Sequence, residues 1–426
     1  MKIGLQVWGS EGDIRPFISL ASGLVKNGHQ VTLAITDDIG KDFSEIGKVN
    51  GFSIIKVGKP LTTNEEEIAN IWESIINIKN PIQQAEKILT FGFDPYVEEI
   101  FSTATYLCQN NDLVIGHFFV YPLQIASEIN NTPFVTINIV HNCLPSKYIN
   151  PPGMPDIGKW FYPIGWKIVR KLINNIFLPR VNRLRVREGL SPNNDVMTEV
   201  WASQYLNLIA VSPTICEPKE DWPNSTKICG FINSIENSQK EELPERLNDF
   251  LNNGEPPVYF TFGSMMKPNL KLIKKTISIW LEAVKLVGCR AIFQIPWDDL
   301  SIFEIDNFVF KVKRSPYLEV FPRCSMIVHH GGAGTTQSSL ISGRPSIIVA
   351  FMSDQTFWGS ELERLGVAGK TLSKRTLTPK LLASDIKSVL AKPFLSERAK
   401  YIGEKLKNEN GLENALILIE KKIKNI

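Results

Sequence analysis

Three glycines within four positions, Gly331, Gly332 and Gly334, follow the apolar run Ile327-Val328-His329 and precede Thr335 and Thr336. Glycine tolerates positive φ and lets backbone approach a ligand closely. A helix opening near Gly334 turns unpaired N–H groups and the positive end of its dipole outward. With His330 just before the loop and two hydroxyl side chains in the first turn, the arrangement suits a diphosphate. A tight turn packed with small residues is the bland alternative, and His330 with the threonine pair weighs against it. The spacing is neither GxGxxG nor GxxxxGK[ST], which argues against NAD and ATP. A second cluster is Ser353-Asp354-Gln355-Thr356-Phe357-Trp358-Gly359. Asp354 accepts hydrogen bonds and Gln355 accepts and donates, as vicinal sugar hydroxyls require; an acid there also suits a helix N-cap. The third candidate is Asp13, in the turn Gly9-Ser10-Glu11-Gly12-Asp13-Ile14-Arg15-Pro16-Phe17. A carboxylate there can take a proton from an attacking hydroxyl, best when partial burial raises its pKa. Capping of a helix that starts near Pro16 is the competing role.

The elements that position these groups read as an α/β protein. Ile3 to Trp8, Val31 to Ile35, Phe52 to Val57, Leu113 to Ile115 and Phe134 to Ile137 are apolar runs of strand length. Helical spacing over 16–27 lies between the first two, and a helix near Gln124 to Glu128 between the last two. Such alternation predicts parallel sheet with helical crossovers. The proline-rich stretch from Cys216 to Pro257 reads as a connection, after which Val258 to Phe262 opens a second α/β series. The predicted organisation is an N-terminal domain over 1–216, a linker over 217–256 and a C-terminal domain over 257–405. A final helix over 406–426 returns to the first domain. The two Rossmann-like domains face each other across a cleft, where ligands bind.

Composition sets the bounds. A chain of 426 residues has room for two or three domains. Lys and Arg number 47 against 44 Asp and Glu, a net charge of +3, which excludes a generic nucleic-acid binder. Six cysteines without a CxxC pair predict buried, reduced thiols in a cytoplasmic protein. Met1 to Val7 lacks the features of a signal peptide, and no run of roughly 18 apolar residues predicts a membrane span. Five histidines at no metal-like spacing and the absence of Asp-x-Asp predict no metal and no cofactor. Asp298-Asp299 reads as a solvated pair. His29 reads as a packing or capping residue, and His329 as packing behind the glycine loop. His117 and His141 each follow a strand at its cleft-facing edge.

Val328 to Gly334 with Thr335-Thr336, and Asp354-Gln355 with Phe357-Trp358-Gly359, resemble the donor-binding signature of the UDP-glycosyltransferase superfamily. The similar branch is that of sterol glucosyltransferases and bacterial glycopeptide and macrolide glycosyltransferases. Gly9 to Phe17 resembles its GSxGDxxPF motif and Gly28-His29-Gln30-Val31-Thr32 its GHxVT. The resemblance implies the GT-B fold and an inverting, metal-independent transfer from a UDP-sugar. It implies that His330, Gly332, Ala333, Gly334 and Thr335 hold the diphosphate, that Asp354 and Gln355 hold sugar hydroxyls, and that Ser264 lies near diphosphate or ribose. It makes Asp13 the general base, where plant enzymes place His. Ser10, His117, His141 and Trp358 are the acceptor-side candidates. Arg314-Ser315-Pro316-Tyr317 falls where the family grips uracil and departs from the plant Trp and Gln; Ser338 replaces a ribose-binding Glu.

One segment breaks the charge balance. Lys159, Lys167, Arg170, Lys171, Arg180, Arg183, Arg185 and Arg187 interleave with aromatic and aliphatic residues, and no acid falls among them. Such a segment suits an interfacial helix in peripheral contact with anionic membrane. The resemblance favours a helical hairpin covering the acceptor pocket. Either points to a hydrophobic acceptor, such as a sterol or polyketide, with the nucleotide-sugar donor as the other partner and no nucleic acid. The expected activity is transfer of glucose to a hydroxyl of that acceptor. The rivals are a UDP-sugar epimerase and a silent nucleotide-sugar-binding partner of another transferase.

Overall fold

The computed structural model describes residues 1–37, 41–59, 64–232, 242–263, 270–295 and 308–424. The chain divides into two compact units. Unit 1 comprises Met1–Thr63, Ile78–Ile235 and Glu409–Ile426; unit 2 comprises Asn64–Asn77 and Glu236–Asn408.

Among the described residues unit 1 holds seven strands: β1 (Lys2–Gly9), β2 (Gln30–Asp37), β3 (Ser53–Lys56), β4 (Leu113–His117), β5 (Phe134–Asn138), β6 (Leu206–Ile209) and β7 (Thr226–Ile228). They pair in parallel in the order β3-β2-β1-β4-β5-β6-β7. Helices on both faces explain why the strands read as continuous apolar runs rather than alternating ones; Ile3, Leu5 and Val7 of the central β1 are fully buried. The helices are α1 (Glu11–Lys26), α2 (Ser44–Asn50), α4 (Pro81–Gly92), α5 (Val97–Asn110), α6 (Tyr121–Asn130), α7 (Tyr162–Arg187), α8 (Val196–Glu199) and α16 (Gly411–Ile423). Leu416 of α16 packs where a Cβ on Gly23 would stand, and Glu420 meets His29 Nε2 at 2.7 Å. His29 thus ties the C-terminal helix to the first helix–strand turn.

Two local readings change. α1 starts at Glu11, five residues before the prolyl position, because Ser10 is the N-cap and Asp13 completes a capping box with it. Pro16 therefore lies inside the helix. The proline-rich stretch 217–256 also carries regular structure. β7 pairs with β6 as an edge strand, and α9 (Glu245–Asn252) opens from Pro244.

Among the described residues unit 2 is built on six parallel strands: β8 (Val258–Thr261), β9 (Ala291–Gln294), β10 (Val309–Val312), β11 (Met326–His329), β12 (Ser346–Ala350) and β13 (Leu372–Ser373), in the order β10-β9-β8-β11-β12-β13. Its helices are α3 (Glu65–Asn77), α9, α10 (Leu270–Val287), α11 (Tyr317–Val320), α12 (Ala333–Ile341), α13 (Ser353–Arg364), α14 (Pro379–Leu390) and α15 (Pro393–Lys407). Trp280 stacks on Phe262 at 4.4 Å within a core shared with Phe260 and Phe293. Ile76 of α3 joins that core, so an early segment of the chain packs in the second unit.

In each sheet the strand order reverses once, between β1 and β4 in unit 1 and between β8 and β11 in unit 2. Open α/β sheets bind ligands at the strand C-termini flanking such a reversal. Asp13 and His117 follow β1 and end β4; Gly263 and His330 follow β8 and β11.

Candidate functional site

In unit 1 the turn after β1 is shaped by Gly9, whose φ is +134°. A Cβ on Gly9 would stand 2.7 Å from Asp13 Cγ, so only glycine admits the carboxylate. Asp13 Oδ2 accepts from Ser10 N at 2.7 Å and Ser10 Oγ at 3.0 Å. Asp13 Oδ1 stands 3.9 Å from His117 Nε2. His117 is 1% exposed, and neither ring nitrogen has a hydrogen-bond partner among the described residues. Burial pushes its pKa down to about 3, so the ring is neutral. Phe17, Phe118 and Phe119 surround it at 6.1, 4.7 and 5.7 Å between ring centroids. Phe119, half-buried, also meets Trp8, Phe177 and Trp201. This aromatic cluster was not anticipated from sequence. Only Phe118-Phe119, directly after His117, hinted at it; Trp8, Phe177 and Trp201 come from distant segments.

In unit 2 the loop after β11 leads into α12, whose N-cap is Gly332. The N-cap glycine has no side chain with which to cap this helix, so among the described residues its first N–H groups are left for a ligand or water. His330 is buried, its Nδ1 has no hydrogen-bond partner among the described residues, and burial lowers its pKa to about 4. The ring is wedged between two glycines: a Cβ on Gly332 would strike its Nε2 and one on Gly263 its Cε1. Gly263, at φ +62°, also leaves room for Thr335 Oγ1. Among the described residues, a Cβ on Gly334 would meet nothing within 4 Å outside the backbone of its own helix. His329 is buried behind the loop and its Nδ1 accepts from Gly331 N at 3.2 Å.

The start of α13 lies against the same loop, since a Cβ on Gly331 would stand 2.9 Å from Gln355 O. Gln355 is buried and its Oε1 accepts from Phe351 N and Met352 N, which fixes the end of β12. Asp354 is the second residue of α13, behind the N-cap Met352, with an accessible side chain. The crowding of protein atoms around it raises its pKa, while its own and Gln355's N–H groups pull the other way. Behind the loop, Gln294 Oε1 accepts from Thr261 Oγ1 and Tyr317 Oη at 2.6 Å each, and Thr261 Oγ1 accepts from Gly263 N. Ser315 shares a hydrogen bond with buried Tyr259. Gln294 and Thr261 gave no sequence signal beyond ending their strands.

The structure thus gathers Asp13, Ser10 and His117 in unit 1, and His330, Gly332, Ala333, Gly334, Thr335 and the start of α13 in unit 2. His141 is buried on the segment after β5. Trp358, the acceptor-side candidate on α13, is 1% exposed. Ser264 and Asp298-Asp299 lie outside the described residues. Among the described residues no group of three His, Cys, Asp or Glu is arranged to hold a metal ion, and no helix is long and apolar enough to cross a membrane. The six cysteines form no disulfide among the described residues, and all but Cys289 are buried.

Comparison with known proteins adds two family matches. Residues 3–114 match the glycosyltransferase family 28 N-terminal domain, and residues 291–414 match the erythromycin biosynthesis protein CIII-like C-terminal domain. The sterol 3-beta-glucosyltransferase of Candida albicans is 28% identical over 97% of this chain. The chain spans 27% of that relative's length. The O-mycaminosyltylonolide 6-deoxyallosyltransferase of Streptomyces fradiae is 24% identical over 99% of this chain and 97% of its own. Among solved structures, the kitacinnamycin glycotransferase superposes with a TM-score of 0.72 at 18% identity, covering 99% of this chain and 98% of that one. Glycosyltransferase VinC, solved with dTDP, superposes at 0.65 and 18% identity over the full length of both chains.

Proposed function

We propose that the chain, which has the GT-B fold, moves a sugar, glucose first, from a UDP-sugar to a hydroxyl of a hydrophobic small molecule. The observation that carries this reading is the donor half: a helix, α12, with a glycine N-cap, behind a buried neutral His330 whose Nδ1 has no partner among the described residues. A buried, unpartnered polar atom beside free N–H groups is an arrangement a diphosphate would complete.

In the proposed reaction the acceptor O–H gives its proton to Asp13 Oδ1 as its oxygen bonds the anomeric carbon. The bond from that carbon to the diphosphate oxygen breaks on the opposite face, and the electron pair leaves with UDP. The configuration inverts. The N–H groups of α12, the Thr335 hydroxyl and neutral His330 donate to the oxygens that gain charge. Asp354 holds sugar hydroxyls beside them. Gln355, whose Oε1 is engaged with the β12 end, contributes through its amide N–H₂. The partly exposed Phe119 and the rings behind it give an apolar wall next to the base, which suits an aglycone. A sterol acceptor and O-mycaminosyltylonolide are named in the two relatives above, and both fit a hydrophobic aglycone class.

The test is calorimetric titration with UDP-glucose and dTDP-glucose, then turnover with a panel of sterols and polyketide aglycones. Binding of a nucleotide-sugar that His330→Ala weakens, with turnover of an apolar aglycone, is expected. Donor affinity unchanged in His330→Ala overturns the diphosphate assignment.

A further inference from the structure

The eight basic residues of 159–187 separate into two groups in the fold. Arg170 pairs with Asp195, Arg180 with Asp94, Arg185 with Glu128, and Arg187 with Glu98 and Glu188. These arginines tie α7 to α4, α5, α6 and α8 and their flanks. Lys159, Lys167, Lys171 and Arg183 form no ion pair among the described residues. The three lysines are exposed.

The unpaired lysines share their side of the molecule with apolar groups that a solvated helix would not display. Trp160 is 69% exposed, Ile164 47% and Ile168 42%. At 3.6 residues per turn, Ile164, Lys167, Ile168 and Lys171 fall within an arc of about 100°. Gly165 and Trp166, which are buried, point away from that arc. Trp160 precedes the helix in an ordered turn. Phe161 N donates to Gly158 O, and Gly158 N and Tyr162 Oη both donate to Asp156 Oδ1. That engaged carboxylate is the single acid between 153 and 175.

We propose that the face formed by Trp160, Ile164 and Ile168 with Lys159, Lys167 and Lys171 docks unit 1 on an anionic lipid bilayer. Indole and isoleucine side chains enter the acyl boundary while the ammonium groups stay with the lipid phosphates. Charge selects this occupant. A second copy of the chain in a two-fold contact would set the lysines of one face against those of the other, with one engaged carboxylate to offset them. A neutral apolar partner would leave them unpaired. An anionic surface satisfies both parts of the patch, each lysine adding to the attraction. The inference goes beyond sugar transfer and does not depend on it.

Sedimentation with vesicles tests it. One set is phosphatidylcholine alone; the other is an equal mixture of phosphatidylcholine and phosphatidylserine. The protein is expected to bind the mixture at least about tenfold more tightly. The triple variant K159E/K167E/K171E should lose about tenfold or more on the mixture, as should W160A/I164E, while the exposed pair K380E/K400E of unit 2 should bind as wild type. All seven positions are exposed, so melting temperatures should match. Equal binding to both vesicles, retention by the triple variant, or equal loss in the unit 2 pair overturns the proposal. So does a lipid-free dimer that W160A/I164E dissociates, because the face would then belong to a second copy.

Discussion

Asp13 and His117 meet at the reversal of strand order in unit 1, with Asp13 Oδ1 3.9 Å from His117 Nε2. The distance is too long for a hydrogen bond, and burial keeps the imidazole neutral, so the two do not form an ion pair at neutral pH. The carboxylate is instead held from its other oxygen, by Ser10 N and Oγ. Asp13 has two separable jobs in this arrangement: it closes the first turn of α1, and it offers a carboxylate oxygen beside an apolar, aromatic wall.

Asparagine separates those jobs. Asp13→Asn keeps an oxygen that can accept from Ser10 but cannot take a proton, so kcat should fall by ~10² or more while the urea midpoint changes little. Asp13→Ala should lose the same activity and also about 1 kcal/mol of stability, as removal of capping groups does. Wild-type turnover in Asp13→Asn would remove the carboxylate from the reaction.

His117 gives a test in the opposite direction. A buried imidazole with both nitrogens unpartnered among the described residues burdens the fold, and an apolar side chain of similar bulk relieves that burden. His117→Leu should therefore melt at or above the wild-type temperature. If the ring positions acceptor or base, the same variant should turn over at least about tenfold more slowly, the trade-off expected where stability yields to function. A less stable variant of full activity would make His117 a packing residue.

The sequence made the strand frame legible because both sheets are buried on two faces, which leaves unbroken apolar runs such as Ile3 to Trp8. The glycine loop at 331–334 was legible for a related reason: backbone against a ring admits no Cβ. The start of α1 was misplaced because Pro16 is a stronger textual signal than the Ser10 cap. The packing of α3 in unit 2 had no such signal, since the apolar face of an amphipathic helix does not name its partner. The basic segment was visible, but its division into paired arginines and unpaired lysines depends on Asp94, Glu98, Glu128 and Asp195. All four lie outside it. The aromatic wall at His117 likewise joins rings that only folding brings together.

Acid should expose the buried histidines. His117 and His330 are pushed down to about 3 and about 4, and His329 well below its ordinary value, each by burial. Unfolded, each takes a proton near 6.5. Below that pH the unfolded chain binds more protons than the native one, so stability falls as pH falls. Each histidine adds about 1.4 kcal/mol per pH unit until its native pKa is reached. The melting temperature should be level above about pH 7 and drop steeply from about 6.5 toward 4. His117→Leu should show a shallower drop. Identical profiles for the two proteins would contradict the assignment of a neutral buried His117.

Gly332 and Gly334 lie two residues apart on the same loop and should respond to alanine in different ways. A Cβ on Gly332 strikes His330 Nε2, so Gly332→Ala must displace the ring, at a cost in stability of about 1–3 kcal/mol, the usual range for overpacking. Gly334 sits in the first turn of α12, and among the described residues no atom outside its own helix backbone lies within 4 Å of its would-be Cβ. There alanine favours helix by up to about 1 kcal/mol, so Gly334→Ala should melt no lower than wild type. If that open space is where a diphosphate lies against the helix N–H groups, the added methyl stands in its way. Gly334→Ala should then weaken UDP-glucose binding by about tenfold or more, one lost charge-assisted contact in scale. Calorimetric titration beside a thermal melt reads both quantities on one sample. A variant that binds donor as wild type does would move the diphosphate away from α12.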